Sequence, residues 1–153
     1  MPQRAPVRRL AFRVSLSKSR LQDAGAAERR ALLSALRDTS PAAKVRAIVV
    51  GRDSYSCVRC GRSVIGIRAS VHHRKRRSQG GANTPDNLIT LCGSEVTGCH
   101  GFVHAHPAES LGAGWLVRSA ADPALVPVLV ISQAGSGMTV WLAGSGAYSF
   151  GPP

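Results

Sequence analysis

Apolar residues change their spacing from one stretch of the chain to the next, and the changes mark the predicted elements. Phe12, Val14 and Leu16 alternate with polar neighbours as in a short strand, inside an otherwise Arg-rich first twenty residues broken by Pro2 and Pro6. Ala27, Leu32, Leu33 and Leu36 then fall on one side of a helix expected over Ala24–Arg37, with Asp23 placed to cap it. Ser40-Pro41 opens a second helix that runs through Val50 and stops at Gly51, proline taking the first helical position. From Asp53 the pattern dissolves among Cys, His and Gly. Strands are expected at Ala69–His73 and Asn87–Leu91 around a Gly-containing loop, followed by a short helix over Gly98–His104. After Pro107 a helical turn leads to Trp115–Val117 and to two apolar runs, Val126–Ser132 and Met138–Leu142, which read as a β-hairpin with Trp115, Trp141 and Phe150 in its core. The expectation is an α+β fold in three parts: a basic arm with helices over 1–52, a central unit over 53–107, and a helical turn with a β-hairpin over 108–153.

Charge sharpens that division. The chain has 153 residues with Lys+Arg 20 against Asp+Glu 8, a formal net charge of +12. Residues 1–52 carry 12 basic and 3 acidic side chains, residues 53–107 carry 7 and 3, and residues 108–153 carry 1 and 2. An excess made mostly of arginine suits an acidic polymer, because the guanidinium fork matches phosphate, and the first two thirds of the chain would grip it. A hydrophobic fraction of 44% excludes a disordered basic tail. No stretch approaches the roughly 20 apolar residues that cross a bilayer, so no membrane partner is expected. The basic Met1–Leu10 lacks the apolar run of a signal peptide, so a cytoplasmic protein is expected.

In a cytoplasmic setting four cysteines point to metal before disulfides. Cys57-Val-Arg-Cys60 has the spacing that turns two thiolates toward one ion, with Gly61 placed for positive φ. Cys92 and Cys99 make the second pair across a longer Gly/Ser/Thr loop. Two pairs of thiolates fit a closed tetrahedral zinc site that staples a segment poor in large side chains.

Between the pairs lies Val71-His72-His73-Arg74-Lys75-Arg76-Arg77, and Asn87 follows; beyond Cys99 come His100 and His104. An i,i+4 pair on a helix puts His100 and His104 on one face, where both imidazoles reach one ion. His72 and His73, adjacent on a strand, point to opposite faces, so one of them joins that ion and the other is free for chemistry. Arg74, Lys75, Arg76 and Arg77 are placed to bind flanking phosphates.

His-His, a basic loop with Gly80-Gly81, Asn87-Leu88 before a strand, and Cys99-His100 followed by His104 resemble an HNH endonuclease, and the framing cysteines resemble its zinc-knuckle branch, common among small phage endonucleases. The resemblance covers about Asp53 to Pro107. It implies the ββα-metal fold, in which a hairpin and a helix clamp a catalytic divalent cation, Mg²⁺, Mn²⁺ or another transition metal, beside the structural zinc. By the same resemblance His73 is the general base, Asn87 braces the loop that holds it, and His72, His100 and His104 are metal ligands. The implied reaction is hydrolysis of DNA by nicking or double-strand cleavage, leaving 5′-phosphate and 3′-hydroxyl ends. The implied setting is assistance to a phage terminase in genome packaging, in the host cytoplasm if phage-encoded. The alternative is a noncatalytic zinc-ribbon module that binds nucleic acid, which needs the cysteines and the basic arm but has no use for His73 or Asn87. A restriction or homing nuclease would share the chemistry but carry a larger recognition module than the apolar tail supplies.

Overall fold

The computed structural model describes residues 41–153. The expected basic arm, the Phe12–Leu16 strand and the helix over Ala24–Arg37 lie outside the described residues. Helix α1 spans Ala43–Arg52, later at both ends than the sequence pattern suggests. Pro41 precedes the N-cap Ala42, and the helix passes through Gly51 because tertiary bonds hold the following turn. Arg52 donates to the Pro85 and Leu88 carbonyls, both at 2.7 Å, and to Asp53 Oδ1 at 2.8 Å. Those bonds outweigh the roughly 1 kcal/mol that glycine costs a helix.

Strand β1, Ala69–His73, pairs antiparallel with β2, Leu88–Cys92, so that His72 lies opposite Ile89 and His73 opposite Leu88. All five residues of β2 are buried, because each face meets a different layer. Leu88 packs with Val49 of α1 and Val71, whereas Ile89 and Leu91 belong to the larger core with Val103, Trp115, Val128 and Val140. Asn87 falls in a 3-10 turn, Pro85–Asn87, one residue before the strand it was expected to begin. Helix α2 covers Gly98–Ala105 and packs Val103 into the larger core, and the short α3 follows at Pro107–Gly112.

The tail is a three-stranded antiparallel sheet and not the hairpin alone. Strands β3 (Val128–Ile131), β4 (Gly137–Leu142) and β5 (Tyr148–Ser149) lie in that order. A turn closed by Ala143 N–H to the Ala147 carbonyl at 3.0 Å returns the chain for β5. Tyr148 Oη then donates to the buried Asp53 carboxylate at 2.8 Å, which fixes the strand to the start of the central unit. Trp115 is buried as expected, but Phe150 is 82% exposed and contributes nothing to the core.

Arg74 holds the tail on. Its side chain is fully buried, and its three nitrogens donate to five carbonyl oxygens, those of Asp86, Gly114, Pro123, Val126 and Pro127, at 2.6–3.3 Å. Burial pulls its pKa down to about 10, with the nearby Arg52 acting the same way, so it stays charged at neutral pH. A guanidinium spread over five carbonyls is the fixed cation that lets polar backbone be buried here.

Candidate metal centres and active site

The Sγ atoms of Cys57, Cys60, Cys92 and Cys99 converge, all within 4.8 Å of one another. The first pair sits on a tight turn closed by Gly61 N–H to the Cys57 carbonyl at 2.8 Å. Gly61 has φ +72°, and a Cβ there would collide with the Ser132 carbonyl. The six-residue gap in the second pair is folded into a compact loop: Ser94 and Thr97 bond each other's backbone at 3.1 Å, and Gly93 and Gly98 flank them at φ +89° and +61°. That geometry gives the longer spacing the same reach as a two-residue knuckle.

The donor set fits zinc. Thiolates about 2.3 Å from a tetrahedral ion lie roughly 3.8 Å apart, and Cys60 Sγ and Cys92 Sγ are 3.9 Å apart, far beyond a disulfide's length. Burial pushes the Cys57 thiol up, and the neighbouring cysteines repel a second charge, so four thiolates together require a cation. Arg59, between the first two cysteines, reaches toward the cluster with Nη1 3.6 Å from Cys99 Sγ and its guanidinium stacked 3.4 Å over the Phe102 ring.

The second convergence joins β1 to α2. Ligating nitrogens of His72, His100 and His104 all lie within 4.8 Å of one another. His100 Nε2 and His104 Nε2 are 3.1 Å apart, as the i,i+4 spacing on α2 predicts, close to the roughly 3.3 Å that separates two nitrogens on a tetrahedral ion. His72 Nε2–H donates to the Trp115 carbonyl at 3.2 Å, which leaves Nδ1 with its lone pair. Burial, reinforced by His100 and His104, lowers the His72 pKa to about 3, so the ring is neutral, the form that ligates. His100 Nδ1 is buried without a partner. Three neutral imidazoles around one point fit a divalent cation with positions left open.

His73 stands outside this cluster. It is half-buried on the other face of β1, and its Nε2–H donates to Asn83 Oδ1 at 2.7 Å, so its Nδ1 is the nitrogen able to take a proton. Burial lowers its pKa from the usual imidazole value; the Asn83 bond opposes this and the Arg77 charge adds to it. Asn87 is buried and ties the intervening loop at three points: Oδ1 accepts from Lys75 N–H at 2.7 Å, and Nδ2 donates to the Lys75 and Ala82 carbonyls at 3.1 and 2.9 Å.

The basic run divides, which corrects the expectation of four phosphate-binding side chains. Arg74 is buried and committed to five backbone carbonyls, so it is not available to a phosphate. Lys75 is half-buried with Nζ donating to the Ala121 carbonyl at 3.2 Å. Arg76 and Arg77 are exposed. His106 is exposed and stacks on Phe102, away from the histidine cluster. Sequence patterning did not single out Asn83 or Arg59. Asn83 sits in a turn-rich stretch where asparagine has an ordinary backbone role, and Arg59 is one of many arginines, so neither carries a signal until the fold gives it a partner.

Residues 57–105 match the family model of the HNH endonuclease. That segment, about a third of the chain, is similar to an HNH endonuclease domain. No characterised protein and no solved structure matches the chain. The matched segment contains both convergences: its first residue is Cys57 and its last full turn carries His104. The match is to a family of nucleases, and within the matched segment the cysteine cluster could hold a structural zinc and the three histidines a metal ion. Among the described residues no helix is long and apolar enough to cross a membrane.

Proposed function

We propose that this protein is a metal-dependent endonuclease that hydrolyses DNA phosphodiester bonds, with zinc held by Cys57, Cys60, Cys92 and Cys99 as the staple of its nuclease domain. The observation that carries the reading is the division of two adjacent histidines: His72 faces His100 and His104, and His73 faces the opposite side with its own hydrogen-bond partner. A zinc-binding module without catalysis has no need of that division.

The mechanism follows from what each residue can do. His72, His100 and His104 would hold a divalent cation, Mg²⁺, Mn²⁺ or another transition metal, which supplies Lewis acidity toward the charge that grows on the phosphate and the departing 3′-oxygen. His73 takes a proton from the attacking water at Nδ1, since Nε2–H is already given to Asn83. The lowered His73 pKa keeps the ring unprotonated at neutral pH, the state a base needs. Asn87 contributes by position, since its three bonds fix the loop that leaves β1 immediately after His73 and carries Asn83. Arg76 and Arg77 draw flanking phosphates to the site. The finer setting within this reading is assistance to a phage terminase in genome packaging, with the terminase as partner.

Supercoiled plasmid tests the class. Purified protein with Mg²⁺, Mn²⁺ or Ni²⁺ should produce relaxed or linear DNA, and EDTA should stop it. Intact plasmid under every metal, with DNA binding retained, would leave the zinc-bearing module as the correct reading.

A further inference from the structure

Residues 108–153 contain one basic side chain, Arg118, and two acidic ones. The fold brings that arginine beside the nuclease domain's basic loop. Val117 N–H donates to the Arg74 carbonyl at 2.8 Å, so the segment bearing Arg118 runs along the one bearing Arg76. Lys75 Nζ ties the same two segments again through the Ala121 carbonyl. As a result Arg76 and Arg118 line a single groove of about 290 Å³, with Gln79 and Ser119 as its other polar side chains and Pro107 and Leu116 among its apolar ones.

Two of the residues that line this groove lie close in sequence to those that form or hold the histidine cluster. Pro107 follows α2 directly after the turn bearing His104, and Leu116 is next to Trp115, whose carbonyl receives His72. Arg76, Gln79, Arg118 and Ser119 are all exposed, and among the described residues no carboxylate lies within 4.0 Å of either arginine. Two guanidinium groups lining one concavity repel each other unless an anion enters between them, and phosphate is the anion their forks match.

We propose that the groove lined by Arg76, Gln79, Arg118 and Ser119 binds a backbone phosphate of the substrate strand adjacent to the one cleaved, which makes the tail part of the substrate-binding surface. The proposal rests on the endonuclease reading above. It gives a role to a tail whose overall composition is too apolar and acidic for nucleic acid, since only its one arginine has to face the strand.

The test uses the full chain with His73→Ala to prevent cleavage, a fluorescent 20-base-pair duplex, and titrations between 50 and 200 mM salt. Arg118→Gln should raise Kd about 3- to 10-fold and reduce the slope of log K against log salt by about 1, as expected for one lost phosphate contact. Arg76→Gln combined with Arg118→Gln should reduce it by about 2. Arg68→Gln, an exposed arginine elsewhere on the domain, should bind like the parent. Parental Kd and slope for Arg118→Gln, or an equal loss for Arg68→Gln, overturns the proposal. Inorganic phosphate should compete no better than chloride at equal ionic strength; strong competition that Arg118→Gln abolishes would make this a free-phosphate site and overturn the strand assignment. A parent that nicks plasmid while Arg118→Gln binds normally sinks the groove alone, whereas a parent that neither binds nor cuts DNA sinks both readings.

Discussion

At the scale of single residues, the two adjacent histidines should differ in kind. His73→Ala removes a proton acceptor and no metal ligand, so cleavage should fall by about 10²–10⁴ while zinc content, melting temperature and DNA affinity stay near the parent's. His72→Ala removes one of three converging nitrogens, so its activity should partly return at high Mn²⁺. Plasmid cleavage measured across Mn²⁺ concentration separates them, and metal rescue of His73→Ala but not of His72→Ala would reverse the roles. The placement of the rings, though not their roles, was legible in the sequence, because opposite faces for neighbours on a strand and one face for i,i+4 on a helix follow from backbone geometry alone. The hydrogen-bond partners that set the tautomers were not. Trp115 contributes a backbone carbonyl, which no sequence pattern encodes, and Asn83 acts through a contact made only when the loop after β1 folds back.

At the scale of elements, Arg74 is where sequence reading and structure part. In sequence it is the first of four consecutive cations and reads as a phosphate ligand; in the fold it is the inward-facing member of that run, and its charge organises the backbone of the tail. Alternation alone could not separate it from Arg76, because the run leaves the strand at His73 and has no regular period afterwards. Arg74→Met should therefore destabilise the protein by roughly 3 kcal/mol or more, since several buried carbonyls lose their donor, and Arg74→Lys should restore little because one ammonium cannot span five acceptors. Chemical denaturation checks both, and a parental midpoint for Arg74→Met would show that the tail is held by its apolar contacts alone. The cysteine pairs behave as a staple of a different kind. Cys92 and Cys99 bracket the link from β2 to α2, and Cys99 adjoins His100, so the cysteine cluster and the histidine cluster share one helix. Cys57→Ser should lower zinc content from one ion per chain and unfold this segment, and absence of zinc from the parent by elemental analysis would refute the site.

At the scale of the whole molecule, the positive charge and the converging ligands lie in different stretches of the sequence. Residues 53–107 carry the converging ligands and a modest net charge of +4, while residues 1–52 carry +9. A cationic stretch contributes to nucleic-acid binding chiefly by releasing counterions, each phosphate contact adding about −0.9 to the slope of log K against log salt. Met1–Arg20 holds six basic side chains and no acidic one, whereas the basic groups of residues 53–107 include one, Arg74, already committed to the fold. Deleting Met1–Arg20 should therefore flatten the salt slope by roughly 2 to 5, weakening binding at 50 mM salt far more than at 200 mM. Cleavage of plasmid at saturating protein should be nearly unchanged, because no ligand, base or loop brace is removed. Equilibrium binding of the same duplex to the full and shortened chains across that salt range decides it. An unchanged slope would assign the arm's charge to an acidic protein partner, in which case the groove beside Arg118 and the exposed Arg76 and Arg77 would have to carry the electrostatic grip on DNA themselves.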